Sequence, residues 1–170
     1  AAFVSQHSDA PRRAVLCTYD LHPARFEAVV LPQLTRRGHW FRTLVIADQA
    51  QLQKVGVLAH RSAGAAYELA PVRLRGSGVF HSKLIVLQSG DRILVGIGSA
   101  NLTPGGLGGN LELMLFASND NADGKALAES AVNYLFDLSQ ARSVLCPASA
   151  KRFLERLCAS ARRRDNGPIA

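Results

Sequence analysis

The sequence predicts an α/β domain in which a mixed β-sheet is flanked by helices. Three observations carry this. Two short apolar runs near the amino end are each followed by a segment with helical spacing. Four further strand-like runs then come without long helices between them, and two amphipathic segments close the chain. A length of 170 residues suits one core of ordinary size.

Ala14 to Tyr19 is apolar and partly β-branched, which reads as a buried strand. Pro23 to Arg37 reads as a helix, because proline suits a first turn and Phe26, Val29, Val30 and Leu34 recur on one face, with Gly38 ending it. Phe41 to Ala47 is the second strand and Gln49 to His60 the second helix. This β-α-β-α order predicts a parallel strand pair. Tyr67 to Leu74, Val79 to Leu87, Ile93 to Ile97 and Leu111 to Ala117 are the later strands, so the sheet is mixed. Asp123 to Leu138 and Ser149 to Arg163 are the closing helices, the second with Phe153, Leu154, Leu157 and Ala161 on one face. Residues 1–163 are expected to form one domain and 164–170 a tail or linker, the end from Arg162 onward holding a basic cluster and Gly167-Pro168.

Composition narrows the class. With 48% hydrophobic and 19% charged residues, the chain is neither a disordered tail, a collagen nor a coiled coil. Its longest apolar runs, such as Leu44 to Ala47, fall far short of the ~18–20 residues that span a bilayer, so no stable membrane insertion is expected. Cys17, Cys146 and Cys158 are odd in number and lack CxxC spacing, which argues against a disulfide framework or a zinc site. Cys17 and Cys158 read as core thiols, and a cytoplasmic setting is the expectation. No charged segment leads into an apolar run as in a signal peptide, so the chain is expected to be a processed protein or a domain of a longer one.

A net charge of +7 favours a polyanionic partner. Residues 1–83 carry eleven bases and five acids, 84–150 three and six, and 151–170 six and two. The surplus therefore lies in the first half and the tail. Arg12, Arg13, Arg36, Arg37, Arg73 and Arg75 are candidates for a track along which a nucleic acid lies.

One stretch carries chemistry. Val79 to Leu87 contains His81-Ser82-Lys83, and Ile93 to Ile97 runs into Gly98-Ser99-Ala100-Asn101. The two arms alternate and are joined at Ser89-Gly90, which predicts a β-hairpin. A two-residue loop there would set His81 opposite Gly98 and Lys83 opposite Gly96, with His81 and Lys83 on one face about 7 Å apart. Gly96 and Gly98 would floor a notch with Ser99 and Asn101 at its rim. An anion fits such a place: lysine supplies a point charge, serine and asparagine supply neutral donors, and histidine serves as nucleophile or acid and base near neutral pH.

These residues resemble the signature of the phospholipase D superfamily of phosphodiesterases, His-x-Lys-x4-Asp-x6-Gly-Ser-x-Asn on a hairpin. His81, Lys83, Gly98, Ser99 and Asn101 match it. The order of strands and helices around the motif is similar too, which implies a phospholipase D-like fold over most of the chain. The Asp position is Gln88, and Asp91 lies three residues later across the turn. Glu112 follows the motif where nuclease-like branches of the family often carry a glutamate. In an apolar run it is expected to have a partner such as His81 or Lys83.

The resemblance implies that His81 attacks phosphorus to form a phosphohistidine, and that a second histidine from another copy of the motif protonates the leaving oxygen. Glu112 would orient His81, while Lys83, Ser99 and Asn101 hold the phosphoryl oxygens. No metal or other cofactor is implied. His7, His22, His39 and His60 lack the motif context. A composite site then needs a homodimer, or a second motif in a longer parent chain. The expected partner is nucleic acid, DNA ahead of RNA, and the expected activity is nuclease or DNA-end processing. A phospholipid-acting hydrolase or transferase is the alternative, weakened by only 6% aromatic residues and a single Trp40. A phosphate- or DNA-binding module without turnover is another, favoured by Gln88.

Overall fold

The computed structural model describes residues 12–36, 41–55 and 62–162. Seven strands form one sheet in the order β6-β5-β4-β1-β2-β3-β7. They are β1 (Arg12–Thr18), β2 (Arg42–Asp48), β3 (Glu68–Leu74), β4 (Leu84–Ser89), β5 (Arg92–Gly98), β6 (Met114–Ser118) and β7 (Val144–Leu145). β1, β2 and β3 run parallel, and β4, β5, β6 and β7 join antiparallel to their neighbours. The mixed sheet, the parallel opening and the closing helices are as the sequence predicts. β7, only two residues long, is an addition too short to leave a periodic signal.

The first helical stretch is broken rather than continuous. It consists of α1 (Pro23–Arg25), a π-helical turn Phe26–Val30 and α2 (Leu31–Leu34). Pro32 has no N–H to give to the preceding turn, so the ladder widens there. α3 (Gln49–Val55) follows β2; the expected continuation to His60 lies outside the described residues, as do Arg37 and Gly38.

Two apolar layers flank the sheet. On one side Val15, Cys17, Leu44, Ile46, Leu84, Val86 and Val95 meet α4 (Ala122–Gln140) and α5 (Ala148–Arg162) through Leu135, Phe153, Leu154 and Leu157. On the other, Ala14, Leu16 and Val45 meet Leu21, Phe26, Leu31 and Leu52. A fully buried Val, Leu, Ile or Phe among them contributes about 1.5–3 kcal/mol. Cys17 and Cys158 are buried in the first layer and all three cysteines are free. Burial pushes the Cys17 thiol upward, away from reactivity. No helix among the described residues is long and apolar enough to cross a membrane.

The hairpin register differs from the expectation. Leu84 pairs with Ile97 and Ser89 with Arg92, so the turn is Gly90-Asp91 and Lys83 comes opposite Gly98. The Gly98 N–H donates to the Lys83 carbonyl at 3.3 Å. The reason is Gly90: at φ +57° it takes the first central position of the turn, where hairpin turns accept glycine best. The slip is two residues, so no side chain changes face. His81 precedes β4 rather than lying in it.

Candidate active site

The motif gathers at the margin of the sheet where β1 ends, β4 begins and β5 ends. The segment leading into β4 is fixed by a residue the sequence reading missed. Asp48, buried at the end of β2, accepts from the N–H of Phe80 at 2.9 Å and from those of Ala50 and Gln51 at 3.0 and 3.3 Å. One carboxylate thus starts α3 and sets the backbone next to His81. Its signal was the placement of an aspartate between an apolar strand and a helical run. Asp48→Ala strands the buried Phe80 N–H and removes a cap; we expect a loss of about 2 kcal/mol, read by urea denaturation.

His81 is exposed and packs against the Tyr19 ring, centroids 4.7 Å apart at 48°. Lys83 Nζ lies 3.1 Å from His81 Nδ1, 3.3 Å from Nε2 and 3.1 Å from the His81 carbonyl oxygen. The same ammonium stands 5.7 Å from the Tyr19 ring centre. Tyr19 is held from behind, its hydroxyl accepting from Gln51 Nε2 at 2.7 Å. Burial pulls the Lys83 ammonium below its ordinary range, and the Glu112 carboxylate pulls the other way. An anion bound here would favour the charged form further.

Ser99 and Glu112 form a second group. Ser99 Oγ donates to Glu112 Oε2 and accepts from the Leu113 N–H at 3.1 Å, while Asn110 Nδ2 reaches Glu112 Oε1 at 3.3 Å. The partners of Glu112 are therefore Ser99 and Asn110, not His81 or Lys83; its charge is nevertheless felt at Lys83. Its segment precedes β6, because Leu111 and Leu113 find nothing to pack on.

Asn101 has a structural job besides the one expected. Its Oδ1 accepts from Thr18 Oγ1 and from the N–H groups of Tyr19 and Asp20, all at 3.3 Å. Thr18 Oγ1 in turn accepts from the Leu102 N–H at 3.1 Å. This ties the end of β1 to the end of β5 and leaves the amide Nδ2 to offer to a ligand.

The glycines do not floor an open notch. A Cβ at Gly96 would lie 2.6 Å from the Phe116 ring, and one at Gly98 would lie 2.0 Å from the Leu113 carbonyl oxygen. They admit β6 to close approach. Beside Lys83 and Asn101 a cavity of about 270 Å³ opens among Leu16, Ile85, Leu107 and Met114.

Gln88 and Asp91 lie at the other margin. Gln88 is buried and accepts from Arg13, and the Asp91 carbonyl accepts from Asn119 at 2.9 Å. Neither reaches His81. The expected arginine track is split. Arg12 and Arg13 open β1 at that far margin, while Arg73 and Arg75 lie at the end of β3 on the His81 side. Arg36 follows α2, and Arg37 lies outside the described residues. Of the other histidines, His22 caps α1, accepting from the Arg25 N–H at 3.1 Å; His7, His39, His60 and also Trp40 lie outside the described residues. Among the described residues no three His, Cys, Asp or Glu side chains are grouped to hold a metal ion.

No protein-family model and no curated protein matches the sequence. Solved structures do. The yeast tyrosyl-DNA phosphodiesterase is similar with a TM-score of 0.53 and 11% identity, over 91% of this chain and 36% of that chain. A mutant of that yeast enzyme gives 0.52 and 13%, over 91% and 34%. This chain thus spans about one third of the length of those structures. The likeness shows the fold: the phospholipase D-like α/β arrangement implied by the motif is the one observed.

Proposed function

We propose that the chain carries one half of the active site of a metal-independent phosphodiesterase that cleaves nucleic acid, DNA first. The carrying observation is the Lys83 ammonium within 3.1–3.3 Å of both His81 ring nitrogens, with Ser99, Glu112 and Asn101 at the same margin. The shared fold supports the substrate class, since the similar yeast protein is named for a phosphodiester of DNA.

In this reading a neutral His81 nitrogen bonds to phosphorus as the P–O bond breaks. The leaving oxygen takes a proton from a second histidine, and water then releases the phosphoryl group from His81. Lys83 and Asn101 Nδ2 face the oxygens on which charge develops, while Ser99 gives its hydroxyl proton to Glu112. Glu112 holds Ser99 in place and supports the charged form of Lys83.

The second histidine comes from a body that covers this margin. Leu111, Leu113, Leu115, Phe116 and Ile97 are exposed on and beside edge strand β6, next to Glu112. An apolar strip on an open edge is a surface that a partner would bury. A second copy of the chain supplies the second motif in a homodimer; the remainder of a longer parent chain supplies it otherwise. The expected result is cleavage of DNA oligonucleotides in excess EDTA by the assembly that holds two motifs. Full dependence on magnesium overturns the reading. Binding without turnover by that assembly would instead select a binding module.

A further inference from the structure

The sheet margin remote from His81 carries an arrangement that cleavage does not use. Arg13 on β1 pairs in register with Arg42 on β2 and with Gln88 on β4, so three neighbouring strands present Arg42, Arg13 and Gln88 in one row. Alternation places all three on the face that carries Val15, Leu44 and Val86, under α5. Arg42 stands 5.6 Å from the centre of the Phe153 ring, and Arg156 follows on the same helix. Arg13 Nη1 donates to Gln88 Oε1 at 3.2 Å.

Two like charges side by side on adjacent strands repel, and a third from the helix above adds to the cost. Burial, then the charges of Arg42 and Arg156, pull the Arg13 guanidinium below its ordinary value. Among the described residues no carboxylate forms an ion pair with Arg42 or Arg156. Among the described residues the ion pairs are Arg92 with Asp120 and Lys125 with Glu129. Glu68 is one step along the same face, beside Leu44, and makes no ion pair with Arg42; Glu155 is engaged by Gln140 at 3.2 Å. From β4 the neutral amide Gln88, buried and bonded to Arg13, packs into the row.

We propose that Arg13, Arg42 and Arg156 form a second phosphate-binding site, which grips the backbone of a nucleic-acid strand at a distance from the reacting end. This rests on the nucleic-acid reading above. Guanidinium groups fit phosphate oxygens in pairs, and the aromatic ring under Arg42 fixes its plane. Seven residues of β1 separate the two margins, a span of about 20 Å, or about six base pairs of duplex. The site therefore reads length and charge of the substrate, not its sequence.

The test is binding of a labelled DNA duplex long enough to reach both margins, by fluorescence anisotropy across a salt series. Arg42→Ala/Arg156→Ala is expected to weaken binding about tenfold at low salt and to lower the slope of log affinity against log salt by about 2. Gln88→Glu, which keeps every arginine but adds a carboxylate beside Arg13, is expected to weaken binding in the same direction. Arg42→Lys/Arg156→Lys, with the charges kept, is expected to retain the slope. Wild-type affinity and slope in both the double alanine variant and Gln88→Glu overturn the second site and leave the cleavage reading intact. Failure of the unaltered chain to bind DNA overturns both. Displacement of the duplex from this margin by inorganic phosphate at matched ionic strength, equal in wild type and double alanine variant, also overturns it.

Discussion

His81→Ala is expected to lower EDTA-resistant cleavage at least about a thousandfold while leaving the melting temperature within about a degree of the parent. The argument has two parts. The ring is exposed, and its contacts are one tilted face on Tyr19 and one ammonium, so its loss removes little from the core. The reaction, however, needs a nitrogen to bond to phosphorus, and the other histidine among the described residues, His22, has its Nδ1 taken by the Arg25 N–H. His22 is committed to capping α1 and contacts the Leu102 carbonyl through its own N–H at 2.9 Å. His22→Ala is the matched control, expected to cost about 1 kcal/mol of stability with cleavage retained. Cleavage that persists in His81→Ala, measured in EDTA on the two-motif assembly, would sink the assignment of His81 as nucleophile.

Gly98→Ala is expected to cost about 3 kcal/mol of stability. The added carbon would lie 2.0 Å from a backbone oxygen, that of Leu113, and 2.9 Å from the Cα of Met114. Backbone cannot rotate away as a side chain can, so β5 and β6 must part. Separation breaks the bond from the Ser99 N–H to the Leu113 carbonyl, 3.0 Å, and with it the seat of Glu112. Gly96→Ala meets only the tip of the exposed Phe116 ring, which can swing out, and about 1 kcal/mol is expected. Urea denaturation of the pair measures the difference; equal losses would show that ring and backbone yield alike.

Much of this was legible because the motif lies on alternating strands. His81, Lys83, Ser99 and Asn101 could be named from spacing and Glu112 from the family resemblance, and they do come to one margin. What spacing could not give was the turn. Moving it from Ser89-Gly90 to Gly90-Asp91 depends on which residue takes positive φ, a conformational matter that composition leaves open. The glycines also read ambiguously: a missing side chain looks like room for a ligand until a neighbouring strand is seen to fill it. Asn101 was read only as a holder of phosphoryl oxygens, and Gln88 only as a departure at the Asp position. Long-range packing gives one to the joint between β1 and β5 and the other to Arg13. Asp48 went unnoticed since its partners, Ala50, Gln51 and Phe80, are backbone groups, which no pattern of side chains displays.

The Asn101 joint also sets when the site comes into being. The β4–β5 hairpin is local, closed by a two-residue turn, and can form early with His81 and Lys83 on it. Thr18, Tyr19 and Asp20 reach Asn101 only after more than eighty residues of chain have been brought round. Ordering that long loop is the slow step of such a topology. A partly folded chain therefore carries the signature without the geometry.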